Sequence, residues 1–232
     1  MSKITRIHIE TILGFKVKTM DYYEKAFVHK SALREFNFEE SNELLEFLGD
    51  SVLNLIVTKY LMDKYSNVHE GFLTRVRTKI VSGKSLCKIG RHFGLHNFMV
   101  MDTKAMQQSW NKNDRILEDV FEALIGAIYL DSGMVAARTF VHRILNDKSI
   151  INFESVLKDT NFKDILMRYC QSMKKDFPQY RITTGNKRFC IQVYIEDVSF
   201  KSGEGESKKD AEQLAAKNTL IMLNIPVDVN IS

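Results

Sequence analysis

Residues 42–50 read NELLEFLGD and run directly into SVLNLIV at 51–57. On a helix advancing about 100° per residue, Glu43, Glu46 and Asp50 fall within about 60° of one another, and Asn54 continues the line. Most other positions are Leu, Ile, Val or Phe. The stretch therefore predicts a helix buried on most sides that carries a single acidic stripe. A helix needing only solubility would set its acids opposite its leucines, so negative charge is wanted here beside a packed surface.

Working outward, apolar residues recur at helical spacing through 42–65, 70–93 and 114–145. In RILEDVFEALIGAIYLDSG, Asp119 and Glu122 stand at i and i+3, and Gly126 follows on the same line. A glycine there lets another helix come close. Two helices of this design can bury their apolar faces and still bring four carboxylates together. Unit charges 4 Å apart repel by about 4 kcal/mol at an effective dielectric constant near 20. Such a group either shares protons or holds a cation. Helix-dipole or solvated roles account for either acidic pair alone; the repeated spacing, with one pair lying mid-helix, weakens that account. A two-carboxylate glycosidase arrangement needs fewer acids than are present. Oxygen-only ligation suits Mg2+, with Mn2+ substituting, rather than zinc. A Mg2+ cluster of this kind suits phosphodiester hydrolysis.

The chain as a whole has 232 residues, 44% apolar and 27% charged, with two prolines and a net charge of +4. This is an ordinary globular balance, and the charge alone does not announce a nucleic-acid partner. Three scattered cysteines, Cys87, Cys170 and Cys190, form no C-x-x-C pair. A reducing, cytoplasmic compartment is expected, without a disulfide framework or a zinc site. The N-terminal pattern is not that of a signal peptide, and no membrane association is expected. Periodicity is lost near residue 147 and the character changes. A short helix ending before Pro178 is followed by strand-like YRITT, FCIQVYI and VSFKSGEGE, then a helix rich in Ala and Leu. The expected fold is multidomain. An all-α unit over 1–146 and a linker over 147–158 lead to a small α-β-β-β-α unit over 159–224, with a tail over 225–232.

NELLEFLGDSVL resembles the signature of the ribonuclease III family, and the resemblance continues through AFVHKSA (26–32), EGFLTRVR (70–77) and LEDVFEALIGAIYLDSG (117–133). It implies a homodimeric, Mg2+-dependent endoribonuclease that acts in RNA processing. Such an enzyme cuts double-stranded RNA into short duplexes with 5'-phosphates and 3' overhangs. Glu46, Asp50, Asp119 and Glu122 match the family's metal-binding and catalytic carboxylates, Asp50 and Glu122 being the pair tied most directly to catalysis. Glu43 and Glu70 match acids at the periphery of the cleavage site. Leu44 departs from the pattern, standing where the family has arginine. No small-molecule cofactor besides the metal is implied.

Residues 202–216, SGEGESKKDAEQLAA, resemble the double-stranded RNA-binding domain. Ser207 is a good N-cap, whereas Lys208 and Lys209 oppose the helix dipole unless a phosphate sits there. By resemblance Gln171 reads the minor groove, and Met167 replaces a second such residue. The loop TGNKRF (184–189) is shorter than usual, leaving Lys187 and Arg188 to reach phosphate. His29 in FVHKS matches a family histidine, yet its apolar surroundings suit a hydrogen-bonded structural role. The rival function is a double-stranded RNA binder that sequesters RNA without cutting it. Its mark, loss of a catalytic carboxylate, is not seen. A structural protein built on an inactive nuclease domain would show the same mark.

Overall fold

The two apolar segments that carry the paired acids become the two longest helices. The structure, a computed structural model, describes residues 4–65, 68, 70–153, 156, 162–183 and 188–225. The chain divides into two units, Met1–Val156 and Leu157–Ser232. In the first, α1 (Arg6–Leu13), α2 (Met20–Ala26) and α3 (Ala32–Phe36) precede α4 (Glu43–Lys64). Then come α5 (Glu70–Ile80), α6 (Gly83–His92), α7 (Thr103–Gln107) and α8 (Asp114–Asn146). Ser82 caps α6 with its hydroxyl and so divides the 70–93 pattern into two helices. Trp110 opens a short 3-10 turn, Trp110–Lys112.

The core forms where α4 packs along α8, with α2 and α6 also against α8. Val120, Phe121, Ala123, Leu124, Ile125, Ala127 and Ile128 of α8 are fully buried, and α4 buries Leu45, Val52, Leu53, Ile56, Val57 and Leu61. By length and composition α8 is apolar enough to cross a bilayer; here it is the central helix of the packed unit. One expectation fails. Helix α4 is not buried on most sides, because Leu44, Phe47, Leu55 and Met62 are exposed, Phe47 by 77%. The helix has two apolar faces, and only one of them meets α8.

Helix α8 breaks at Gly133 (φ 77°, ψ −178°), just after a buried anchor. Asp131 accepts hydrogen bonds from the Thr19 N–H (2.6 Å), the Lys18 N–H (3.2 Å), the Tyr23 hydroxyl (3.1 Å) and the Ser132 hydroxyl (3.0 Å). Burial alone would raise its carboxyl, but these donors outweigh it and hold the group below the usual aspartate range. The beginning of the 147–158 segment is tied to the first unit: Ile151 is buried and the Lys79 ammonium donates to the Val156 carbonyl at 3.0 Å.

The second unit holds α9 (Phe162–Ser172), β1 (Gln179–Thr183), β2 (Phe189–Ile195), β3 (Val198–Gly205) and α10 (Lys208–Met222). The strands form one antiparallel sheet in the order β1-β2-β3. The period of two along β2 sends Ile191, Val193 and Ile195 inward onto Leu166 and Cys170 of α9 and Ala211, Ala215, Ala216 and Leu220 of α10. Gly203 makes this packing possible, since a Cβ there would strike the backbone of Ala211 and Ala215. All three cysteines are free.

Asp131→Ala strands the Thr19 and Lys18 amides and the Tyr23 hydroxyl, and should cost about 3 kcal/mol in urea denaturation at pH 7. Because the native carboxyl is depressed, that difference should shrink as the pH falls below about 4. A loss independent of pH would show that packing, not the carboxylate, holds the junction.

Candidate metal centre

The start of α4 is fixed before any acid is placed. The buried Asn42 donates its N–H to the Val28 carbonyl at 2.8 Å, and its own carbonyl accepts the Glu46 N–H at 2.9 Å. Val28 in turn bridges to Val100. A few residues along, α4 meets α8 backbone to backbone. A Cβ on Gly49 would land on the Glu122 carbonyl, and one on Gly126 would land on the Leu45 carbonyl. No side chain fits at this crossing, so the helices approach closely enough for short carboxylate side chains from both to converge.

Glu46, Asp119 and Glu122 do converge: each offers an oxygen, and these lie within 4.8 Å of one another. Burial pushes the Glu122 carboxyl up to about 8, with the charges of Asp50, Glu118, Glu46 and Asp119 adding to the effect. Glu46 is also raised, by burial and then by Asp119 and Glu43. Burial raises Asp119 too, against the opposing charges of Arg115 and Lys30. Three acids are thus held where each is uncomfortable as an anion. A hard divalent cation matches this all-oxygen donor set and relieves the strain, so the residues fit such an ion.

Asp50 stands outside the three-residue group. Its side chain is exposed, and Oδ1 accepts the Asn54 Nδ2–H at 2.6 Å. Its charge nevertheless acts on Glu122. Glu43 accepts from the Lys30 ammonium and the Ser41 hydroxyl, both at 3.1 Å, and the Lys30 contact foremost holds its carboxyl below the usual range. Glu70 opens α5 and accepts from the Thr74 hydroxyl at 2.7 Å. His29 shares a 2.9 Å hydrogen bond between Nδ1 and the Ser31 hydroxyl.

Three further residues belong to the surroundings of this site. Glu118 is raised by burial and by Asp119 and Asp50; its position four residues before Glu122 was a usable signal. The cations Lys30 and Arg115 act on Glu46 and Asp119. Arg115 lies one helical turn before Asp119, but Lys30 is distant in sequence and no spacing rule points to it.

In the second unit Ser207 caps α10, its hydroxyl accepting the Asp210 N–H at 3.2 Å. Lys208 and Lys209 follow, exposed, in the first turn. Gln171 on α9 is exposed, as is Arg188 just before β2. Lys187 lies outside the described residues.

Both units of the chain match known families. The family model described as Ribonuclease-III-like matches residues 20–148, and the one described as Double-stranded RNA binding motif matches 162–223. A protein of Paramecium bursaria Chlorella virus 1 is 38% identical over 226 residues, 96% of this chain and 80% of its own length. Ribonuclease 3 of Protochlamydia amoebophila is 34% identical over 224 residues, 94% of this chain and 92% of its own. A solved nuclease domain of ribonuclease III from Campylobacter jejuni superposes with a TM-score of 0.56 at 34% identity, covering 60% of this chain and 94% of its own. That structure is described for its flexibility in a region involved in dimer formation.

The raised Glu122 carboxyl sets a pH dependence. In the unfolded chain it ionises near 4, so its contribution to metal-free stability is intact below that value and is lost as the pH rises through about 8. In the presence of a chelator, Glu122→Gln should therefore raise Tm, by more at pH 8 than at pH 5. Added Mg2+ should stabilise the wild type and not the variant. A variant that melts lower than wild type at pH 8 in chelator would contradict the electrostatic account.

Proposed function

The chain belongs to the ribonuclease III family of endoribonucleases, and from that premise we propose that its carboxylate centre uses Mg2+, with Mn2+ as a substitute, to cut both strands of duplex RNA. The products would carry 5'-phosphates and short 3' overhangs. The observation that carries this reading is the meeting of Glu46, Asp119 and Glu122 within 4.8 Å on two helices.

Glu46, Asp119 and Glu122 would hold the ion. When bound, a divalent cation offsets charge at the phosphate and acidifies water for in-line attack. The chain's own contribution is position. Gly49 and Gly126 fix the separation of the helices, and Glu122 sits in the driest place of the three. Asp50, beside Glu122 and anchored on Asn54, is the fourth acid of the reaction, while Glu43 and Glu70 guide RNA at the periphery. The RNA-binding unit would grip the duplex by shape, through Gln171, Lys187, Arg188 and the α10 start at Ser207, Lys208 and Lys209.

Cutting both strands calls for two centres, hence a homodimer. The exposed stripe of Leu44, Phe47 and Leu55 on α4 supports this, because apolar side chains so prominent on one helix face suit burial against a second copy. Free cysteines throughout support a reducing, cytoplasmic location.

A duplex of roughly 30 base pairs, long enough for a double-stranded RNA-binding domain that spans about 16, should be cut into staggered fragments in Mg2+ and bound intact in Ca2+. Glu122→Gln should lower the cleavage rate on the order of a thousandfold while RNA affinity is retained. An intact, shifted duplex in both ions for the wild type would favour sequestration over cleavage.

A further inference from the structure

Six carboxylates, Glu43, Glu46, Asp50, Glu118, Asp119 and Glu122, crowd a centre that must admit a polyanion. The cation held by three of them leaves phosphates beside the cut without a partner. We propose that Lys30 is an RNA-phosphate-binding residue of this centre, kept at its rim by Glu43 and transferred to a phosphate next to the scissile bond when RNA docks. The proposal rests on the reading of the centre as the cleavage site.

The geometry gives Lys30 a fixed base and a free end. Its neighbour His29 donates its N–H to the Val100 carbonyl at 2.9 Å, and Val28 accepts from Asn42 at 2.8 Å, so the backbone is fastened to the first residue before α4. The side chain beyond it is 64% exposed. Among the described residues its one ion-pair partner is Glu43, 3.1 Å away. Glu43 stands three residues before Glu46 in the first turn of α4, so the ion pair sets the ammonium beside the cluster, where its charge opposes the burial that raises Glu46 and Asp119.

Exposed ion pairs of this kind contribute little to stability, so a phosphate oxygen can displace Glu43 readily. Glu43 is not left bare when the lysine goes, because the Ser41 hydroxyl still donates to it at 3.1 Å. An ammonium offers three donors and swings on a flexible stem, which suits a phosphate that moves as the strand is cut. Held by Glu43, the lysine also waits outside the metal ligands instead of competing with the cation for them.

The test uses the full chain, the duplex described above, and the variants Lys30→Gln and Lys30→Arg. For Lys30→Gln, kcat/KM should fall about ten- to a hundredfold. The slope of log affinity against log salt, measured in Ca2+, should flatten by about 0.9, the share of one phosphate contact. Mn2+ uptake and Tm should stay at the wild-type level, and Lys30→Arg should restore both cutting and slope. An unchanged salt slope for Lys30→Gln overturns the proposal. So does a loss that Lys30→Arg fails to restore, or one that follows lost Mn2+ uptake. Absence of cutting by the wild type would refute the cleavage reading instead, while the salt slope would still decide whether Lys30 holds phosphate.

Discussion

Everything at the candidate site depends on two helices touching without side chains between them. Where α4 crosses α8, Gly49 lies on the Glu122 backbone and Gly126 on the Leu45 backbone. A helix pair separated by ordinary side chains sits about 8–10 Å apart between axes, and bulkier residues at this crossing would push α4 and α8 apart and shift the carboxylates relative to one another. The glycine crossing removes that spacing. The apolar residues before and after it, Leu45 and Val52 on α4 and Ala123 and Ala127 on α8, are buried and hold the contact closed. Packing energy thus forces like charges together, and a cation relieves them.

The same arrangement explains why so greasy a segment carries acids. Glu122 is nearly as buried as the leucines around it, and its carboxyl is correspondingly reluctant to ionise. An acid in such a place lowers the stability of the metal-free protein, and its position is understandable as that of a ligand. The opposite side of α4 shows the other half of the design: Leu44, Phe47 and Leu55 stand in solvent in the single chain. One helix gives one face to the core, a second to the acidic cluster and a third to the surface.

Much of this was legible in the sequence, because helical spacing is rigid. Acids at i, i+3 and i+4 must share a face, and a glycine on that line must permit approach, so Glu46, Asp119, Glu122 and Gly126 could be placed together in advance. Period-two apolar residues announced β2, and Ser207 announced the start of α10. Periodicity does not say which neighbour a face meets, however, so the exposure of Phe47 was misjudged. Nor does it set side-chain rotamers, and Asp50, bonded to Asn54, is not among the three acids whose oxygens meet within 4.8 Å. Lys30 reaches the acids only through the Val28–Val100 and Asn42 contacts, which join segments far apart in the chain. Asp131, whose partners Lys18, Thr19 and Tyr23 lie more than a hundred residues away, was hidden for the same reason.

The most direct measurement is Mn2+ uptake, followed by loss of the free-ion electron paramagnetic resonance signal, in wild type and in Gly49→Ala. The variant keeps every carboxylate and adds one methyl group at the crossing, with helix content checked by circular dichroism. The account predicts saturable uptake by the wild type and uptake weakened at least about tenfold in the variant, as expected when one shared ligand position is lost. Equal uptake by the two proteins would contradict it, since the ion would then not depend on the helix contact that brings Glu46, Asp119 and Glu122 together.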